Sequence, residues 1–308
     1  MDILVSEVGP RDGLQSIASI LSTPDKQRWI QAQFEAGTAE IEVGSFVPPK
    51  LLPQMADTGE ITRWAVEALD GLIVAVLVPN LKGLENAVAA GAHKISIPFS
   101  MSETHSLKNV RKSHAQMLEE ITRCVAFLDA LPGEDRPHFE VGLSTAFGCT
   151  LEGEVPETRV IAMAERVIEI GVDEVGLSDT TGYGNPAQLR RLAQGVWSAV
   201  GKERMTGVHL HNTRGQGLAN ALMAVELGFT TVDSSLGGLG GCPYAPGASG
   251  NIVTEDLVWM LESMGLRTGI DLDALLEVRA LVARALPDEA FYGFIPDAGL
   301  PKGFTPAS

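Results

Sequence analysis

Short runs dense in aliphatic and β-branched residues recur along the chain, each followed by a longer segment whose apolar positions repeat at helical spacing. The runs fall at residues 3–8 (ILVSEV), 39–43 (AEIEV), 72–78 (LIVAVLV), 93–99 (HKISIPF), 138–143 (HFEVGL), 173–178 (DEVGLS), 205–211 (MTGVHLH) and 230–235 (TTVDSS). Helical patterns are predicted over 24–36, 57–69, 82–90, 111–130, 157–170, 187–200 and 216–227, with two more after 252 and 272. Thr23 is the expected cap of the first helix, with Pro24 at its first position. Gly37, Gly71, Gly91, Gly171, Gly201 and Gly228 stand where helices should close, because glycine takes the left-handed cap at little cost.

Strands alternating with helices call for parallel strands joined by crossovers. Eight such pairs within about 270 residues predict a (β/α)8 TIM barrel with additional C-terminal helices, a doubly wound open sheet being the alternative. No internal repeat or linker interrupts the pattern, so residues 1–308 are expected to form a single catalytic domain. The last stretch, from about 293 to 308, has the composition of a loose tail.

Charge and cysteine usage narrow the partners. A formal charge of −16 opposes long-range attraction to nucleic acid or to an anionic membrane surface. Cys124, Cys149 and Cys242 are odd in number and form no CxxC, which fits a reducing cytoplasm better than a disulfide framework or a thiolate zinc site. No basic leader precedes an apolar run, and none approaches the roughly 20 residues that span a bilayer, so a soluble cytoplasmic protein is expected. A homo-oligomer is left open.

In a barrel of this kind the chemistry sits where strands end. Strand one runs into Arg11 and Asp12, strand two holds Glu42, strand six leads to Asp179, strand seven carries His209 and His211, and strand eight reaches Asp233. Residues two apart on a strand face the same side, so both imidazoles can face the barrel mouth. Closure sets strand eight against strand one, which brings Asp12 within two strands of the histidines. Two imidazoles and a carboxylate can share a divalent cation, with magnesium, manganese and zinc all compatible. The competing reading is a hydrogen-bonded histidine pair in the wall.

The loop SSLGGLGGCPYAPGASGN, 234–251, is too rich in glycine and proline to continue as a helix. Its spacing is wrong for a dinucleotide fingerprint. Residues 235–251 form a candidate active-site loop or lid, in which Cys242 could exchange a proton if its surroundings shift its pKa. Cys124, on an apolar helical pattern, reads as packing. Asn251 is either a helix cap or a neutral oxygen ligand. Lys108, Arg111 and Lys112 read as a solvated helix start, contact with phosphates being the alternative.

Four stretches carry a family resemblance: VGPRDGLQ at 8–15, SFVPPKLLPQMAD at 45–57, HLHNTRGQGLAN at 209–220 and GGLGGCPYAPGASGN at 237–251. On them the chain resembles the hydroxymethylglutaryl-CoA lyases, metal-dependent acyl-CoA lyases on the TIM-barrel scaffold. The resemblance implies retro-Claisen cleavage of a 3-hydroxy-3-methylglutaryl thioester to acetyl-CoA and acetoacetate. It places a cation on Asp12, His209, His211 and Asn251, sets Arg11 against the thioester oxygen and makes Cys242 the acid. Glu42, Asp179 and Asp233 would orient these groups.

Asn212 and Arg214 depart from the family pattern, which has Asp and Tyr there. The second positive charge expected from Arg214 near the mouth opens a related substrate such as citramalyl-CoA. Condensation in the synthetic direction and binding of a CoA ester without turnover are the remaining alternatives.

Overall fold

The computed structural model describes residues 1–240 and 250–307. Eight parallel strands form a closed barrel in the order β1 to β8, with β8 pairing back on β1. The architecture is the TIM barrel that the alternation predicts. The strands are β1 (Leu4–Glu7), β2 (Glu40–Ser45), β3 (Ile73–Leu77), β4 (Lys94–Ser100), β5 (His138–Ser144), β6 (Glu174–Ser178), β7 (Gly207–His209) and β8 (Thr231–Ser234). Each lies within its predicted run or one or two residues beyond it.

The helices are α1 (Thr23–Glu35), α2 (Thr58–Ala68), α3 (Leu81–Ala89), α4 (Glu103–Asn109), α5 (His114–Leu128), α6 (Glu157–Ile170), α7 (Pro186–Val200), α8 (Gly217–Leu227), α9 (Thr254–Ser263), α10 (Leu272–Ala285) and α11 (Ile295–Ala298). The cap of α1 is Ser22, one residue earlier than expected: its hydroxyl accepts the Asp25 N–H. Thr23 instead donates to Asp57 at the start of α2. The single helix expected over 111–130 is shorter. Arg111 takes a left-handed backbone, φ 57°, and a capping box between Ser113 and Gln116 starts α5 only at His114.

Before it lies α4, which polar SETHSLKN conceals from any search for apolar periodicity; Ser102 caps it by accepting the His105 N–H. The tail expected from about 293 contains the one-turn α11, tied down where Asp256 accepts the Phe294 and Ile295 N–H groups. No described helix is long and apolar enough to cross a membrane.

The two faces of the strands differ in chemistry. Outward positions such as Ile41, Val74, Ile95, Val141, Val175 and Val232 are wholly buried against the helices. Burying a side chain of this size contributes about 1.5–3 kcal/mol. The inward positions are polar: Glu40 and Glu42 on β2, Lys94 and Ser96 on β4, Glu140 on β5 and Asp233 on β8 line a cavity of about 800 Å³. A barrel of this type ordinarily fills its interior with branched apolar residues. This one holds it open with paired charges: Lys94 Nζ lies 2.9 Å from Glu140 and 3.4 Å from Glu40, and Ser6 donates to Glu40 at 2.7 Å.

Gly37, after α1, combines φ of 101° with a close approach to a neighbouring segment: a Cβ there would lie 2.1 Å from the Gly269 carbonyl oxygen. Replacing Gly37 with Ala should therefore destabilise the fold by at least the 1–3 kcal/mol of backbone strain alone, about what a left-handed alanine costs. The urea midpoint measures this, and an unchanged midpoint would refute the close approach.

Candidate active site

After β1 the chain winds into a π-helical turn, Gly9–Gly13. This is an uncommon conformation, often found at functional positions. It is held where the Val8 carbonyl accepts N–H groups from Arg11 and Asp12. Glu7 anchors the turn from below, accepting from the backbone of Gly9 and Leu236 and from the Thr254 hydroxyl. The turn presents Arg11 and Asp12 side by side. Arg11 Nε donates to Glu42 on β2 and its Nη1 to Asp12. Burial works against its charge, but Glu42 and Asp12 outweigh that and raise its pKa.

On the far side, His209 and His211 do face one point. Their Nε2 atoms are 3.0 Å apart, and Asp12 Oδ2 lies 4.0 Å from the first and 3.9 Å from the second. Ligand atoms each about 2.1 Å from one ion stand at separations of this order. The three residues form a group that can hold a metal ion.

His209 Nδ1 lies 3.1 Å from Asp233 Oδ2, which favours the tautomer whose Nε2 lone pair points at the cluster. Burial lowers the His209 pKa, but the hydrogen bond and charge of Asp233, with Asp12, overcome it and the net shift is upward. His211 goes the other way: burial and the neighbouring His209 push it down to about 3, against the pull of Asp12. For Asp12 burial alone would raise the pKa; Arg11 and the two histidines reverse this and hold it below the usual carboxylate range.

Asn251 is not a helix cap, since Val253 occupies that position at α9. Its Nδ2 donates to Asp12 Oδ2 at 2.7 Å, while its Oδ1 is buried with no partner among the described residues. A buried acceptor without a donor is costly, and a cation beside Asp12 would satisfy it. The donor set of carboxylate, two imidazoles and an amide oxygen therefore fits a divalent ion. Asn251 is fixed by its neighbours: its N–H donates to the Gly240 carbonyl at 3.3 Å, and it bridges His211.

Of the other sequence candidates, Glu42 touches Arg11 and accepts from Ser96, and Asp179 lies behind β6 accepting the Tyr183 and Gly184 N–H groups. Burial pushes the Asp179 carboxyl up to about 7, despite those bonds. Cys242 lies outside the described residues. Cys124 is buried, and burial pushes its thiol up to about 12.

Lys108, Arg111 and Lys112 line the cavity mouth, where Lys112 pairs with Glu120. Arg214 donates to the Thr181 and Gly182 carbonyls and stacks 4.5 Å over Tyr183, so its guanidinium braces the loop after β6 and does not line the cavity. Asn212 accepts the Gly217 N–H at the start of α8. The interior charges Glu40, Lys94 and Glu140 are absent from the sequence candidates, although each stands two residues before another cavity residue of its strand, Glu42, Ser96 and Gly142, which marks one face.

A carboxylate and imidazole cluster at the strand ends of a TIM barrel, with a buried arginine beside it and a cavity below, defines the candidate active site of a barrel enzyme that can hold a divalent ion. The chain belongs to the HMGL-like family, whose pattern matches residues 2–282. The mitochondrial hydroxymethylglutaryl-CoA lyase of Macaca fascicularis is 42% identical over 284 residues, covering 92% of this chain and 86% of its own. A hydroxymethylglutaryl-CoA lyase of Bacillus subtilis is 40% identical over 274 residues, 89% of this chain and 90% of its own. An HMG-CoA lyase structure from Acinetobacter baumannii, in complex with coenzyme A and 3-methylmalate, superposes with a TM-score of 0.90 at 39% identity, covering 99% of this chain and 97% of that one.

Metal affinity should depend on pH through His209. A ligand nitrogen must be unprotonated, so Mn²⁺ affinity should fall up to about tenfold per pH unit below the raised pKa of His209. His211, already neutral, should add no slope above about pH 4. Calorimetric titration between about pH 5.5 and 8 tests this; a flat profile would remove His209 from the ligand set. Asp233→Asn should weaken the same affinity about 10- to 100-fold.

Proposed function

We propose that this chain cleaves 3-hydroxy-3-methylglutaryl-CoA to acetyl-CoA and acetoacetate, with a divalent cation held by Asp12, His209, His211 and Asn251. The observation that carries the reading is the convergence of Asp12, His209 and His211 on one point, with Asn251 bonded to Asp12 and its Oδ1 without a partner among the described residues. Family membership and the lyases it resembles support the substrate. A bound cation would supply Lewis acidity to the substrate's tertiary hydroxyl and counter-charge to its oxygens.

The protein's own groups account for the rest. Water in the cavity takes the hydroxyl proton, the hydroxyl oxygen becomes the ketone of acetoacetate, and the electron pair of the broken carbon–carbon bond passes to the acetyl thioester as an enolate. Arg11 faces the thioester oxygen and offsets the charge that develops there; it keeps its own charge at any working pH. Glu42 fixes that guanidinium through Nε, so the arginine need not reorganise during bond cleavage. Asp233 holds the orientation of His209. Cys242 delivers the proton that converts the acetyl carbanion to product, a step of the kind worth about 10² to 10⁴ in rate. Lys108 and Arg111 bring positive charge to the rim, where the CoA phosphates would pass.

The deciding experiment incubates protein loaded with Mg²⁺ or Mn²⁺ with the thioester and follows acetyl-CoA and acetoacetate by mass. Release of both is expected; release of neither overturns the reading. Arg11→Met should lower kcat by about 10² or more with metal affinity retained. Cys242→Ala should spare metal binding and depress turnover by about 10² or more. Unchanged turnover would remove the thiol from the mechanism.

A further inference from the structure

Beneath the histidines the barrel wall is bare. Gly142, Gly176 and Gly207 stand two residues before Ser144, Ser178 and His209 on three consecutive strands, β5, β6 and β7. All three line the cavity that holds His209 and His211, and Gly142 pairs with Gly176 in register. None takes a left-handed backbone, so conformation does not require glycine there. A Cβ at Gly142 would meet nothing within 4 Å, and one at Gly207 only the Thr231 side chain, at 3.6 Å. Gly142 and Gly207 thus border an open volume immediately below the candidate metal ligands, while the space over Gly176 is taken by Glu140.

The floor of that volume is polar and built. Glu140 folds over Gly176, with Oε1 2.4 Å from where a Cβ would be. Lys94 holds it there while also reaching Glu40. Glu40, Glu42, Glu140 and Asp233 face the hollow against Lys94 and Arg11, both already paired. A carboxylate entering here would meet surplus negative charge. A long alkyl group would strip water from the carboxylates and return no hydrogen bond. A hydroxyl can donate to Glu140 or Glu40 and accept from Thr231, which lines the same cavity.

We infer that the hollow extends the acyl site, and that the enzyme accepts 3-hydroxyacyl-CoA thioesters whose carbinol carbon carries a substituent of two or three atoms ending in a hydroxyl, in addition to methyl. The inference rests on the lyase reading above and specifies its substrate class. Gly142 is the specificity-determining position, because any side chain there projects into the space the longer substituent would fill.

The test compares the 3-methyl thioester with its 3-(2-hydroxyethyl) homologue on the metal-loaded wild type and on Gly142→Leu. The readout is the ratio of the two kcat/KM values. Wild type should process the homologue within about threefold of the methyl ester, and Leu should shift the ratio toward methyl by about tenfold or more, the scale on which pocket volume discriminates. Gly142→Ala, a smaller intrusion, should shift it in the same direction by less. A homologue that wild type refuses while it cleaves the methyl ester, or a ratio unmoved by Leu, overturns the inference.

Calorimetry with the uncleavable 3-deoxy thioesters separates the two readings. Selective loss of the hydroxyethyl compound in Gly142→Leu, with no ester cleaved by wild type, would sustain the hollow and sink the lyase reading. Cleavage of the methyl ester with no binding of the hydroxyethyl compound would do the reverse.

Discussion

The buried guanidinium of Arg11, clamped between Glu42 and Asp12, is the contact on which the site depends. It joins the turn after β1 to β2, sets Asp12 beside the histidines and favours the ionised form of Asp12 out of water. Removing one partner from a buried pair of this kind costs about 3–5 kcal/mol, because the other charge is left uncompensated. The π-helical turn is what makes the clamp reachable, since it sets adjacent residues to face Glu42 and the metal ligands together.

The same logic extends through the interior. Stability resides in the layer where strands meet helices, which is apolar and closely filled. The barrel lumen is left to charges that stabilise one another: Lys94 between Glu40 and Glu140, Asp233 on His209, Arg11 on Glu42. Separating the two compartments lets an acidic chain keep a hollow core without losing the burial that holds the cylinder together.

Much of this was legible in the sequence because the strands obey a period of two and the helices close on glycine. Eight strands and the placement of Asp12, His209 and His211 follow from pattern and closure alone. Failures came where local hydrogen bonding overrides periodicity. Ser22 displaced Thr23 as a cap, α4 formed without an apolar stripe, and the left-handed Arg111 split one helical pattern into two. Asn251 and Arg214 were ambiguous for another reason: their side chains answer to segments remote in sequence, Asp12 and the loop after β6. No spacing rule reports such contacts. Glu40, Lys94 and Glu140 were readable as a face, but charges inside a barrel contradict the expectation of an oily lumen.

The hydrogen bond from Asn251 to the Gly240 carbonyl brings the two borders of the intervening stretch to a single place on the rim. Asn251 is thereby held twice, by its backbone to Gly240 and by its side chain to Asp12. A residue from late in the chain is thus registered against one from its beginning before any ion arrives.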